Sequence, residues 1–236
     1  MSAAVGQAFA LGQAFPLSGG RTARVRYTTV ADGDLAVIRP GPELDARRAA
    51  LSSRPWTWLN QVHEATVVTV TEPGEWAGAA ADAAVTSRSD TLLAVHTADC
   101  APIALVAAEG VVGAVHAGWR GLAAGVVDGA IERMRALGAR SIEAVLGPSI
   151  HAECYEFGAD DLDRVVERCG EVARGVTADG RPALDLPAAV RAALDRAGAT
   201  VVGGEAPCTA CDRRFFSHRA RGDTGRQALL VWIEDG

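Results

Sequence analysis

The chain has 236 residues, enough for one large domain or two small ones. Hydrophobic residues make up 49% and charged residues 22%, which is average globular usage and argues against disordered, collagen-like and coiled-coil classes. A net charge of −6, an aromatic content of 5% and basic residues that are all Arg argue against nucleic-acid partners and against any lysine-based chemistry.

The opening stretch MSAAVGQAFALGQAFPLSGG has no basic segment and does not read as a secretory signal. The most apolar run, residues 101–115, is interrupted by Glu109 and two glycines and is too short to span a membrane. Five cysteines, an odd number, do not suggest a disulfide scaffold and point to a reducing cytoplasm.

Residues 1–20 are expected to form a partly ordered extension, and residues 21–236 a single domain. Residues 24–29 and 35–38 read as strands around the turn Asp32-Gly33. Pro42 opens a helix to Leu51. Strands follow at 65–71, 84–86 and 92–97, then at 103–107 and 111–115 around Glu109-Gly110. Residues 121–137 read as one helix, with Val126, Val127, Ala130, Ile131 and Met134 on its apolar face and Gly138 as its stop. A strand at 142–146, helices at 160–174 and 187–197, and strands at 201–202 and 228–233 complete the order. Strands that come in runs as well as in alternation with helices predict an α+β fold, with mixed sheets and helices packed outside.

Three segments place reactive side chains at strand edges: Asn60-Gln61-Val62-His63, Thr97-Ala98-Asp99-Cys100 and His116-Ala117-Gly118-Trp119-Arg120-Gly121. The hairpin predicts residue 103 opposite 116, with Pro102 ending the ladder so that Cys100 bends back toward His116. Nothing local brings His63 to them. One thiol and two imidazoles would suit zinc with a fourth position open. Taken singly, each reads first as a packed core residue, and it is the clustering at three strand edges that raises the metal reading to equal standing. Arg120, at a helix start, reads equally as an anion site or as a structural residue, either a surface Arg or a bridge to Asp99. A rival pattern is His151-Ala152-Glu153 followed by Pro207-Cys208-Thr209-Ala210-Cys211, which has the letters of a zinc deaminase: His151, Cys208 and Cys211 on the metal, Glu153 moving protons. Cys154 and Cys169 have no partner pattern and read as packing residues.

Taken together, NQVH, ADAAVTS, TADCAPIAL, VGAVHAGWRGLAAGVV, LGPSIHAECYEFG and FFSHRARGDTGRQA closely resemble the YfiH or laccase-domain family over residues 55–233. Bacterial members of that family are labelled polyphenol oxidase, purine nucleoside phosphorylase or peptidoglycan editing factor. The resemblance implies a single α/β/β/α-type domain with a metal bound by His63, Cys100 and His116. It also implies phosphate-dependent cleavage of adenosine, inosine and methylthioadenosine, together with adenosine deamination. Gly118, Arg120, Gly121, Ser217 and Arg226 match the family's motif positions, and Tyr155 and Gly158 belong to a family segment that makes the deaminase letters incidental. The chain departs from the pattern in a shortened N-terminal part and in Glu64, where the family often has Gly.

The resulting expectation is a cytoplasmic, zinc-dependent purine nucleoside phosphorylase and adenosine deaminase. Its catalytic group is Cys100, His63, His116, Asp99 and Arg120, and its substrate-binding group is Asn60, Gln61, Arg120, Ser217 and Arg226. Its partners are a purine nucleoside and phosphate, with no nucleic acid or membrane, as monomer or homodimer. The alternatives are a copper-binding polyphenol oxidase, for which five histidines cannot build a trinuclear cluster, and a peptidoglycan-precursor hydrolase with Cys100 as nucleophile.

Overall fold

The structure, a computed structural model, describes residues 9–236. The strands are β1 (Gly12–Pro16), β2 (Thr22–Tyr27), β3 (Trp56–Asn60), β4 (Val67–Thr69), β5 (Ala79–Ala80), β6 (Ala83–Thr86), β7 (Leu92–Thr97), β8 (Ala101–Ala107), β9 (Val111–Ala117), β10 (Ile142–Leu146), β11 (Arg174–Val176), β12 (Pro182–Leu184), β13 (Ala199–Val201) and β14 (Gln227–Glu234). The helices are α1 (Pro42–Leu51), α2 (Trp119–Ala124), α3 (Val126–Ala136), α4 (Ala159–Cys169), α5 (Leu186–Arg196) and the single turn α6 (His218–Arg221). Residues 1–8 of the expected extension lie outside the described residues, and β1 pairs with β2.

Two six-stranded mixed sheets form, in the orders β1-β2-β14-β7-β3-β5 and β13-β10-β8-β9-β6-β4. Period-two alternation explains how they stack. Val25, Tyr27, Leu93, Val95, Leu229 and Val231 of the first sheet meet Ala104, Val106, Val112, Ala114 and Val145 of the second in a shared inner core. The alternate residues face outward. On the first sheet Leu92, Ala94 and Leu230 pack with Leu35 and with Leu44 of α1. On the second, Ile103, Leu105 and Val115 pack with Val126, Ile131, Leu162 and Val190 of the other helices. The layering is therefore α/β/β/α, an α+β fold with mixed sheets. The Tyr27 hydroxyl donates to the Val145 carbonyl at 2.9 Å, tying the two sheets together across the core.

β7 and β10 have their expected bounds, and four expectations are corrected. Residues 35–38 are not a strand, because the Asp34 carboxylate accepts the Ala36 and Arg226 N–H groups and curls the segment. The expected helix 121–137 is two helices, because Gly125 adopts φ +91 and caps α2. The expected helix 160–174 stops at Cys169, since Gly170 takes φ +84. Pro102 does not end the hairpin ladder. It sits opposite His116, and Ile103 sits opposite Val115. The Pro102 carbonyl faces β10 and accepts Gly147 N–H at 2.8 Å. The N–H that proline lacks would point the same way, beyond the end of β10, so β8 and β9 stay paired.

Candidate functional site

Both sheets end together where β7 turns into β8. His116, near the end of β9, lies on the inner-core face and is 3% exposed. Cys100 immediately precedes β8. His63 comes from the loop after β3, in a left-handed conformation with φ +61. The fold brings the three together: one donor atom from each lies within 4.8 Å of the others. Cys100 Sγ is 3.8 Å from His63 Nε2, and the two imidazoles meet edge to face with centroids 4.8 Å apart.

Asp82, which carried no role in the sequence reading, organises this arrangement. It is fully buried and accepts N–H bonds from Val62 at 3.3 Å, His63 at 3.0 Å and Glu64 at 2.8 Å. Its Oδ1 also lies 2.8 Å from His116 Nδ1. Burial opposes its charge, but the bonds from His116, Glu64 and His63 outweigh that and hold the carboxyl below its usual range. With Nδ1–H donated to Asp82, His116 presents Nε2 as a lone-pair donor, the arrangement that orients metal-binding histidines. One signal was present in the sequence, a lone acid amid the alanines of ADAAVTS.

Burial disfavours the Cys100 thiolate, yet the His116 and His63 imidazoles prevail and bring its pKa down to about 6. His116 moves the other way, to about 9: burial disfavours its cation, while the facing Cys100 and Asp82 favour it. A Cβ at Gly118 would stand 2.8 Å from His63 Cδ2 and 3.2 Å from Cys100 Sγ, so the glycine leaves the space beside these donors free. A thiolate and two oriented imidazoles fit zinc or copper.

The triad lines a cleft of about 410 Å³, in the size range of small-molecule sites. Its other walls include Val37, His96, Tyr155, Arg219 and Arg226. Asn60 lines it from the exposed end of β3. Gln61 also lines it, with its amide spent on the His96 backbone: Nε2 donates to the carbonyl and Oε1 accepts the N–H, both at 2.7 Å. Asp99, at φ +100, accepts the Thr209 hydroxyl at 2.7 Å and the Arg219 N–H at 2.6 Å, which anchors two walls. Ser217 is buried outside the lining and caps α6 by accepting Ala220 N–H. Arg120 is exposed, stacks over Trp119 at 4.2 Å, and lies outside the cleft lining. Arg219 stacks over Tyr155 at 4.9 Å, and Arg226 is braced by the Gly225 carbonyl at 2.8 Å. Burial above all, with the charges of Cys100 and Asp99, raises the Tyr155 pKa and keeps its hydroxyl protonated.

A family model described as multi-copper polyphenol oxidoreductase laccase matches residues 28–234. The chain belongs to this family. It is 40% identical over 195 residues to a purine nucleoside phosphorylase of Mycobacterium bovis, covering 80% of this chain and 78% of that one. It is 39% identical over 214 residues to a purine nucleoside phosphorylase of Streptomyces griseus, covering 85% and 83%. Among solved structures, a Neisseria meningitidis protein superposes with a TM-score of 0.78 at 31% identity, over 95% of this chain and 100% of that one. YlmD of Geobacillus stearothermophilus gives 0.74 at 29%, over 91% and 92%. The sequence resemblance to the YfiH or laccase-domain family is thus borne out, and so is the α+β fold it implied. Among the described residues no helix is long and apolar enough to cross a membrane.

Proposed function

We propose that the chain is a metal-dependent purine nucleoside phosphorylase of the cytoplasm, acting on adenosine, inosine and methylthioadenosine, with a second activity as an adenosine deaminase. The observation that carries this reading is a metal-binding donor set at one end of a cleft that also holds two guanidinium groups and an aromatic wall. Relatives about 40% identical that are named purine nucleoside phosphorylases support the substrate class. Five unbridged cysteines suit a reducing compartment.

In phosphorolysis a phosphate oxygen bonds to C1′ of the ribose while the C1′–N9 bond breaks, releasing the base and ribose 1-phosphate. Arg219 and Arg226 draw phosphate into the cleft and hold it by charge and hydrogen bonding. The ring of Tyr155 offers a flat surface to the purine, and its protonated hydroxyl donates to an acceptor on substrate. Deamination exchanges the 6-amino group for oxygen from water and releases ammonia. Zinc, which His63, Cys100 and His116 would hold, would supply Lewis-acid polarisation when bound. Asp82 keeps His116 and the His63 loop in position for it.

The multi-copper reading finds less support. Oxygen reduction on a copper cluster needs many imidazoles, and two converge here with one thiol, a set for a single ion.

The test is product analysis of the three nucleosides with and without phosphate. Free base and ribose 1-phosphate should form only with phosphate, and inosine should form from adenosine without it. A chelator should abolish both. Oxygen uptake on phenols far exceeding nucleoside turnover after copper loading would replace this reading with the oxidase.

A further inference from the structure

The deaminase-like letters noted in the sequence do converge in space, with different partners. The three thiol sulfurs of Cys154, Cys208 and Cys211 and a carboxylate oxygen of Glu153 all lie within 4.8 Å of one another. His151, the residue that pattern required, contributes its backbone instead, donating N–H to Cys208 Sγ at 3.4 Å. Cys154 and Cys169 both pack against the core beneath the helices, as their isolation in the sequence suggested, but the Cys154 sulfur also belongs to this group.

We propose that Glu153, Cys154, Cys208 and Cys211 form a second, structural zinc site, separate from His63, Cys100 and His116. Four observations converge on it. The first is spacing. Cys154 Sγ and Cys211 Sγ are 3.4 Å apart. A disulfide spans about 2.05 Å, whereas two sulfurs bound to one tetrahedral zinc at about 2.3 Å each are separated by about 3.8 Å. The second is local shape. Cys208-Thr209-Ala210-Cys211 is a tight turn, with Cys211 and Asp212 N–H both on the Cys208 carbonyl at 3.2 and 2.9 Å. This C-x-x-C turn points two sulfurs the same way, as in zinc knuckles.

The third observation is the surroundings of Cys208. The His151 backbone N–H, 57 residues away in the chain, donates to its sulfur. A donor held on the sulfur fixes its direction, as outer partners do for a metal ligand. The fourth is access. Cys208 is buried, but Glu153 and Cys211 are exposed, and Glu153 and Cys154 open onto a shallow cleft shared with Asp179 and Arg181. A metal can reach the ligands from solvent, and the thiol protons leave the same way.

The placement gives the ion a purpose. It joins the turn after β10 to a loop 57 residues later in the chain. Thr209, between the two loop cysteines, holds Asp99 by its hydroxyl. Tyr155 directly follows Cys154 and lines the main cleft. Zinc here fixes two walls of that cleft without touching substrate.

Zinc per chain, measured by elemental analysis of the full chain from zinc-supplemented cells, tests the proposal. The parent should hold about two ions and the variant His63→Ala/Cys100→Ala/His116→Ala about one. Adding Cys211→Ser, an exposed position that leaves the core intact, should empty the chain. Cobalt loaded into the triple variant should give sulfur-to-metal charge-transfer absorption that Cys211→Ser removes. A folded triple variant that binds neither ion would overturn the site. So would a Cys154–Cys211 disulfide, seen as a mass deficit of two hydrogens in freshly purified chain. Retention of the ion by Cys154→Ser with loss in His151→Ala would overturn the ligand set in favour of the deaminase pattern. A parent that holds one ion, kept by the triple variant and lost with Cys211→Ser, would uphold this site and refute metal binding at the first.

Discussion

Asp82→Asn is the sharpest probe of the proposed centre, because it changes one atom of a residue that never touches substrate. The carboxylate uses both oxygens as acceptors, Oδ1 toward His116 Nδ1 and His63 N–H, Oδ2 toward Val62 and Glu64 N–H. An amide must turn its NH₂ toward one of these pairs. Facing the backbone pair, it sets a donor against two donors and frees the loop that carries His63. Facing His116, it donates to Nδ1 and moves the imidazole proton to Nε2, the atom needed for metal. Two charge-assisted bonds are lost either way, about 3 kcal/mol in all at about 1.5 each. For a chain of this length that lowers Tm by about 6–12 °C. Metal affinity should fall about 10–100-fold, as for other groups that orient a ligand from behind. Competition against a chromophoric chelator measures the affinity, and nitrogen NMR of His116 reports the tautomer. Parent-like metal affinity together with an unchanged tautomer would refute the assignment of Asp82 as the positioning residue.

The other predictions concern the cleft and the core. Gly118→Ala should lower metal affinity about tenfold in the same competition assay, with stability within about 1 kcal/mol, because Gly118 has an ordinary extended conformation. Arg226→Ala should raise the KM for phosphate about tenfold in inosine phosphorolysis. A larger effect from Arg120→Ala would place the anion at the start of α2 instead. Tyr27→Phe should cost about 1 kcal/mol in urea unfolding, since the Val145 carbonyl loses its cross-sheet donor. His96 is buried, and among the described residues neither of its ring nitrogens has a hydrogen-bond partner; burial first, then the charges of Arg48, His116 and Arg226, bring its pKa down to about 3. Between about pH 6.5 and 3 the unfolded chain takes up a proton that the folded chain does not, so stability falls as pH drops. The loss from pH 6.5 to 5 approaches about 2 kcal/mol, and His96→Leu should remove that part of the slope.

What could be read from the sequence follows the range of the interaction. β7 and β10 were legible because continuous apolar runs bounded by turn residues have few other solutions. β3 was not, because WTWLN carries bulky residues toward both faces: Trp56 and Trp58 pack outward, and Leu59 enters the inner core. Gly125 was legible as a residue but not as a break, since a glycine inside an apolar helical pattern is tolerated as often as it caps. At the site, the hairpin put Cys100 near His116 correctly even though the role given to Pro102 was mistaken. His63 and the group of Glu153, Cys154, Cys208 and Cys211 depend on contacts between distant segments, which no local pattern encodes.

The same distinction accounts for how the proposed centre stays rigid. His63 at φ +61 and Asp99 at φ +100 occupy backbone conformations that side-chain-bearing residues avoid, at a cost of about 1–3 kcal/mol each. Neither could persist on loop propensity alone. Asp82 fixes the first through the N–H groups of residues 62–64, and Thr209 with the Arg219 N–H fixes the second through its carboxylate. Asp82 and Thr209 are wholly buried and Asp99 is 7% exposed, each next to a core built of alanine, valine and leucine. There, an unmet donor costs more than the strain it would relieve. Backbone strain is thus exchanged for hydrogen-bond satisfaction at two anchors. The first carries a ligand of the proposed catalytic metal, and the second leads through Thr209 to the turn that carries Cys208 and Cys211. An ion at the second site would stiffen the Asp99 anchor, and loss of that ion should loosen the cleft while the His63, Cys100 and His116 donors stay assembled.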